Sequence, residues 1–171
     1  MSANQASTKD AVRSSKNELV ITRTFNAPRP SVWKAWADPE WIMRWWSPKA
    51  FTTPACTMDF RVGGKYLFCM RSSEGQDFWV TGVYREIVEN ERIVYTDSFA
   101  DEHGSVVSAA AYGMAADFPL ELLVTVTFED AGPGKTRLTL RHAGMPAGEM
   151  REQTGVGWNE MFDKLAASLL K

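Results

Sequence analysis

The stretch from Ala147 to Leu170 closes the chain with Trp158, Met161, Phe162, Leu165 and Leu169 at helical spacing, and sets Glu152, Glu160 and Lys164 on the opposite side. That pattern predicts an amphipathic helix up to about 36 Å long. Such a helix needs a large apolar surface to lie against, and the preceding sequence supplies one in strands. Leu122, Val124, Val126 and Phe128 alternate with Thr125 and Thr127, and Leu138 and Leu140 alternate with Thr139 and Arg141. Each of these strands therefore has one buried and one wet face.

Further strand-like runs cover Glu18 to Phe25, Phe51 to Val62, Lys65 to Arg71, Phe78 to Val88 and Arg92 to Phe99. Short polar breaks such as Gly63-Gly64 divide neighbours and imply antiparallel pairing. After the first strand, Pro28 and Pro30 open a short helix with Val32, Trp33 and Trp36 on its apolar side. Asp38-Pro39-Glu40 then gives an N-cap, a first-turn proline and an acid, which start a second short helix over Trp41 to Trp46. The order of strand, two short helices, six strands and a long helix specifies an α+β layer with the last helix on one sheet face.

The 171 residues, 44% hydrophobic and 12% aromatic, fit a single domain. Residues 1–16 are poor in large apolar side chains and read as a mobile leader, with the domain spanning 17–171. Nineteen Lys and Arg against 21 Asp and Glu, with no long run of either sign, argue against a nucleic-acid partner. No apolar stretch reaches the length of a membrane span and the polar start lacks a secretory signal core, so a cytoplasmic protein is expected. Cys56 and Cys69 fall on neighbouring strands and fit reduced, packed thiols better than a disulfide scaffold.

Several short motifs in order resemble one family. They are Arg23-Thr24-Phe25-Asn26-Ala27-Pro28 with Val32-Trp33, Asp38-Pro39 with Trp45-Trp46, Gly63-Gly64-Lys65-Tyr66, and Gly82 with Glu86-Ile87. Glu91-Arg92-Ile93-Val94-Tyr95-Thr96, Thr136-Arg137-Leu138-Thr139-Leu140, Gly157-Trp158 and Lys164-Leu165 complete the set. From Glu18 to Leu170 the chain resembles the SRPBCC or START-like superfamily, in its branch homologous to the activator of the heat-shock protein 90 ATPase. The resemblance implies a helix-grip, Bet v1-like fold: a curved antiparallel sheet of about six or seven strands on the C-terminal helix, with a cavity between them. It does not fix a ligand or a reaction, because one fold serves many functions.

Gly155 and Gly157 each cost the helix about 1 kcal/mol relative to alanine, which is explained where the helix approaches a neighbour or leaves room beside it. Expected cavity liners are Trp33, Trp45, Phe68, Met70, Trp79, Tyr95, Val124, Trp158, Met161 and Phe162. Asp97 shares a strand face with Ile93, Tyr95 and Phe99, so it stands either as a carboxylate inside an apolar cavity or as a strand-end residue bonded to backbone. His142, in phase with Leu138 and Leu140, has the same two readings. Arg71 is the third candidate polar contact.

Residues Ala100 to Pro119 form too long a connection for a hairpin, and His103, Tyr112, Met114 and Phe118 give it bulk. A lid over the cavity, an arm toward a second subunit and an incidental surface excursion all fit it. If Tyr66, Phe68 and Met70 face the core as the family pattern suggests, Leu67 and Cys69 face outward, toward a dimer partner or beneath this segment.

Two histidines and two cysteines lack metal-ligand spacing, and neither a serine-nucleophile motif nor a phosphate-cradling loop is present. No cofactor is expected. The leading expectation is a binding module for a small apolar or aromatic molecule. Its alternatives are a cyclase- or hydrolase-like enzyme using Asp97 or His142, and a co-chaperone that stimulates a chaperone ATPase, which the resemblance alone suggests.

Overall fold

The computed structural model describes residues 12–15, 18–114 and 117–170. Its strands are β1 (Val12–Ser15), β2 (Glu18–Phe25), β3 (Thr52–Met58), β4 (Lys65–Arg71), β5 (Asp77–Val88), β6 (Arg92–Ala100), β7 (Leu122–Asp130) and β8 (Thr136–Ala143). The helices are α1 (Arg29–Ala37), α2 (Pro39–Trp45) and α3 (Glu149–Leu169), with a 3-10 turn at Ala109–Tyr112. All pairings are antiparallel, in the order β1-β2-β8-β7-β6-β5-β4-β3. Strands β2 to β8 form the expected helix-grip sheet. Strand β1 adds an edge inside the stretch read as leader, pairing Val12 with Ile21 and Ser15 with Glu18; residues 1–11 and 16 of that leader lie outside the described residues.

Alternation in sequence becomes alternation in burial. Along β2 the pattern is intermediate then buried throughout, and Leu122, Val124, Val126 and Phe128 of β7 are buried while the residues between them are not. Asp38 caps α2 by accepting from the Glu40 amide at 2.9 Å, as the Asp-Pro-Glu signal requires. Strand β3 stops at Met58, short of Val62, because Asp59 to Gly64 are consumed by a tight turn in which the Gly64 amide bonds Arg61 O at 2.8 Å. Cys69 pairs in register with Ala55 and Cys56 with Phe68, so the two thiols are offset by one position and both are free. No helix among the described residues is long and apolar enough to cross a membrane.

The final helix is fastened in its first turn by Arg151, which donates to Glu18 O at 3.4 Å and Met145 O at 3.3 Å, and by further contacts in its C-terminal half. Arg23 of β2, 4% exposed, donates to Asp163 Oδ1 at 3.0 Å and Asn159 Oδ1 at 3.0 Å, and its guanidinium lies 5.8 Å from the Phe162 ring centre. Lys164 donates to Ser47 Oγ, Pro48 O and Phe51 O at 2.9–3.0 Å, tying the helix to the loop after α2.

Gly82 shapes the other side of the interior. A Cβ built there would stand 1.8 Å from Thr96 O and 2.7 Å from the Tyr66 ring, so only hydrogen fits. Its bare backbone lets the Tyr66 ring cross β5 and bring its hydroxyl 2.9 Å from Thr96 O on β6. One position on, the Val83 amide donates to Thr96 Oγ1 at 2.9 Å, and a register shift follows between Tyr84 and Glu86, where β5 bends. Gly82→Ala should therefore cost about 3 kcal/mol or more, read as a lowered urea midpoint. An unchanged midpoint would show that the strand yields there.

Candidate functional site

The interior is filled unevenly. Beneath α1 and the C-terminal half of α3, aromatic rings close-pack: Trp36 stacks on Trp158 at 6.1 Å, Trp45 meets Phe162 at 6.3 Å, and Trp33 meets Phe128 at 5.3 Å and Phe60 at 5.8 Å. Under α2, Tyr66, Phe68, Tyr84 and Tyr95 form a second cluster and leave a gap of about 10 Å³, room for no more than a water. Beside the N-terminal half of α3 the packing stops. A cavity of about 480 Å³ remains, within the usual size of small-molecule sites.

Three structural pieces frame it. The sheet contributes Met70, Phe78, Val80, Asp97, Phe99, Leu122 and His142 from the ends of β4 to β8 that lie nearest the N-terminus of α3. Helix α3 and its lead-in contribute Met145, Met150, Thr154, Gly157, Trp158 and Met161. Trp46, Pro48 and Phe51 come from the loop held by Lys164, and exposed Gln153 forms part of the rim. At Gly157 a Cβ would be in ordinary contact with Pro48 Cγ at 3.6 Å, so this glycine leaves room rather than permitting a close approach.

The segment after β6 folds across the cavity. Asp101 accepts from the amides of His103 at 2.9 Å and Ser105 at 3.0 Å, and Ser108 caps the 3-10 turn through the Ala110 amide at 3.0 Å. Tyr112 then inserts between Phe78 (5.2 Å) and Phe99 (5.6 Å), while its hydroxyl donates to Ala100 O and accepts from the Trp79 amide. Phe118 meets Phe99 at 6.2 Å, and Met114 and Pro119 complete this wall. Gly104 of the same segment lies over Leu67, which accounts within one chain for the apolar residues on that face; Cys69 is buried.

One part of the wall is polar. The Trp158 indole N–H, which can only donate, points at His142 Nδ1 at 3.2 Å, so Nδ1 accepts and the imidazole proton sits on Nε2. Asp97 Oδ2 stands 3.3 Å from Nε2 but off the N–H line, and Nε2 is buried without a hydrogen bond. Asp97 Oδ1 lies 3.3 Å from the Tyr66 hydroxyl, whose single proton is shared with Thr96 O. Burial, and then the nearby Asp97 carboxylate, push the Tyr66 and Tyr95 phenols well above 10.0.

Among the residues expected from sequence, Met70, Asp97, His142, Trp158 and Met161 reach the cavity, and so do Tyr112, Met114 and Phe118. Trp33, Trp45, Val124 and Phe162 are buried in the packed portion, and Phe68 and Tyr95 border only the small gap. Trp79 is half-buried without lining the cavity, and exposed His103 lies outside it. Arg71 is also exposed, paired with Asp77 at 2.7 Å across the β4–β5 hairpin. Sequence reasoning missed Phe51, Phe78, Met145 and Met150. The available signal was methionine: five of the chain's eight line the cavity, but scattered over strand, loop and helix they show no period. Among the described residues no group of His, Cys, Asp and Glu could hold a metal ion.

An antiparallel sheet that grips a C-terminal helix, with a chamber between them, defines the helix-grip class of protein. Solved structures agree. A crystal structure of a Chromobacterium violaceum protein is 28% identical, with a TM-score of 0.72 over 90% of this chain and 96% of that one. A solution structure from Arthrobacter aurescens is 25% identical, with a TM-score of 0.75 over 95% and 92%. An AHSA1 protein from Silicibacter pomeroyi, 24% identical with a TM-score of 0.72 over 90% and 97%, shares the fold. No curated protein matches. The family model described as Activator of Hsp90 ATPase homolog 1-like protein matches residues 26–169, and the chain belongs to that family.

The tyrosine cluster behind Asp97 gives the protein an alkaline limit. Tyr66, Tyr84 and Tyr95 all have phenols raised above 10.0 in the fold, so the unfolded chain releases these protons first. Their contribution is complete below about pH 10 and declines as pH rises from there toward the raised values. The urea midpoint should hold up to about pH 9 and fall steeply by about pH 11, with the fall flattened in a Tyr66→Phe, Tyr95→Phe variant. A wild-type midpoint that stays level through this range would contradict the assignment.

Proposed function

We propose that the protein binds a small apolar or aromatic molecule in the cavity between sheet and α3. The observation that carries this reading is the coincidence of an unfilled volume with an apolar wall: about 480 Å³ remains beside a core whose aromatic rings otherwise close-pack. Close-packed interiors do not keep such voids without cost, because each missing contact forfeits dispersion energy that a guest restores. The methionines fit the same role, since unbranched thioethers adapt to the shape of what they touch. Tyr112, Met114 and Phe118 act as a lid, anchored by the bonds of Asp101 and Ser108. The protein works in the cytoplasm with both cysteines reduced. Acid–base catalysis on a bound molecule is the second reading, supported by the contact of His142 with Asp97.

Fluorescence of the neutral probe N-phenyl-1-naphthylamine tests the leading reading. The wild-type protein should enhance it saturably. Gly157→Leu, which projects a side chain into the cavity, should weaken binding at least about tenfold while leaving circular dichroism unchanged. Equal binding by the two proteins, or none by the wild type, would rule the cavity out as the site.

A further inference from the structure

The charge of the cavity wall restricts what can enter, given the binding function proposed above. Asp97 is the only formally charged side chain among the described residues that line it, and no lysine or arginine joins it. Its side chain is 22% exposed, so the carboxylate keeps access to the chamber. Three donors in the wall are spent within the protein. Thr154 gives its hydroxyl proton to Met150 O at 2.7 Å, Tyr112 gives its own to Ala100 O, and the Trp158 N–H is held by His142.

Asp97 itself is under-supplied. A carboxylate can accept about four hydrogen bonds. Here it has one phenol proton shared with a backbone carbonyl, at 3.3 Å, and an imidazole N–H at 3.3 Å that points past it. It therefore presents unused acceptor capacity to an otherwise apolar space.

Three kinds of guest respond differently to that acceptor. A carboxylate would meet a like charge with no cation to offset it. An ammonium would be attracted, but it must shed its own hydration in a chamber with a single counter-charge, and the His142 imidazole, with Nε2 3.3 Å from that carboxylate, occupies one side of it. A neutral hydroxyl loses little hydration and supplies the missing proton. We infer that the cavity selects a neutral apolar molecule bearing a hydroxyl, a phenol or an alcohol, whose O–H donates to Asp97, and that it rejects carboxylates.

A series built on one ring system separates this inference from the reading beneath it. Displacement of N-phenyl-1-naphthylamine is measured at about pH 7, where naphthols are neutral, with naphthalene, 2-naphthol, 2-naphthoate and 2-naphthylmethylammonium. The expected result is 2-naphthol binding at least about tenfold tighter than 2-naphthoate and tighter than the ammonium. In Asp97→Leu, 2-naphthol should fall to the affinity of naphthalene, which itself should not change. Should that variant fail to fold, the near-isosteric Asp97→Asn serves, and it should restore binding of 2-naphthoate. The inference is overturned if 2-naphthoate or the ammonium matches 2-naphthol on the wild type, or if the folded variant keeps the wild-type order. If naphthalene and all its derivatives leave the probe in place, the inference falls together with the apolar-ligand reading.

Discussion

The anchoring of α3, in its first turn by Arg151, which donates to Glu18 O and Met145 O, and in its C-terminal half by Arg23 and Lys164, sets the shape of everything beside it. Arg23 rises from the middle of β2 into the helix, where it meets Asp163, Asn159 and the Phe162 face, and Lys164 binds three oxygens of the loop after α2. A buried guanidinium is expensive unless its protons are taken up; both Nη groups of Arg23 find acceptors on α3 while Nε finds none, and this contact fixes the rotation and height of the helix over the sheet. Burial lowers the proton affinity of Lys164, yet its three acceptors leave the ammonium well solvated by protein. Between Arg151 and the contacts of residues 159 to 164, the turns of α3 run over the far ends of the strands, and there the side chains no longer meet.

This division explains which parts of the molecule were legible in sequence. Periodicity identifies the inward face of a strand or helix, and it did so correctly for β7, β8 and α3. It does not tell how far along the element a residue sits. Tyr95 and Asp97 share the inner face of β6, but one packs against Tyr66 and Tyr84 while the other borders the cavity two residues further on. Trp158 and Phe162 likewise share a face of α3, and only Trp158 reaches the open end. Trp33 and Trp45 are large and inward, yet they belong to the filled half, because α1 and α2 cover the sheet where the helix is already tied down. Strand β1 was not legible because it is short and polar, and its pairing with β2 comes from backbone bonds that no side-chain pattern announces.

The wall combines an adaptable surface with one fixed polar point. Methionines on four separate pieces of chain, together with Tyr112 and Phe118 from the segment after β6, line the cavity with side chains of adaptable shape. Asp97 does not share that freedom, because Gly82 admits the Tyr66 ring that stands behind it and Trp158 fixes the imidazole beside it. Under the proposed binding function, such a site would tolerate variation in the body of a molecule and be exacting about the group it presents at one place.

The open end of the core is the central physical feature, and xenon reports on it directly. Xenon enters dry apolar space and is held there by dispersion alone. Crystals pressurised with the gas should show ordered xenon among Val80, Gly157 and Met161, with the surrounding side chains in place. Electron density showing this space occupied by the protein's own rings, with no xenon bound, would contradict a chamber built to hold a guest.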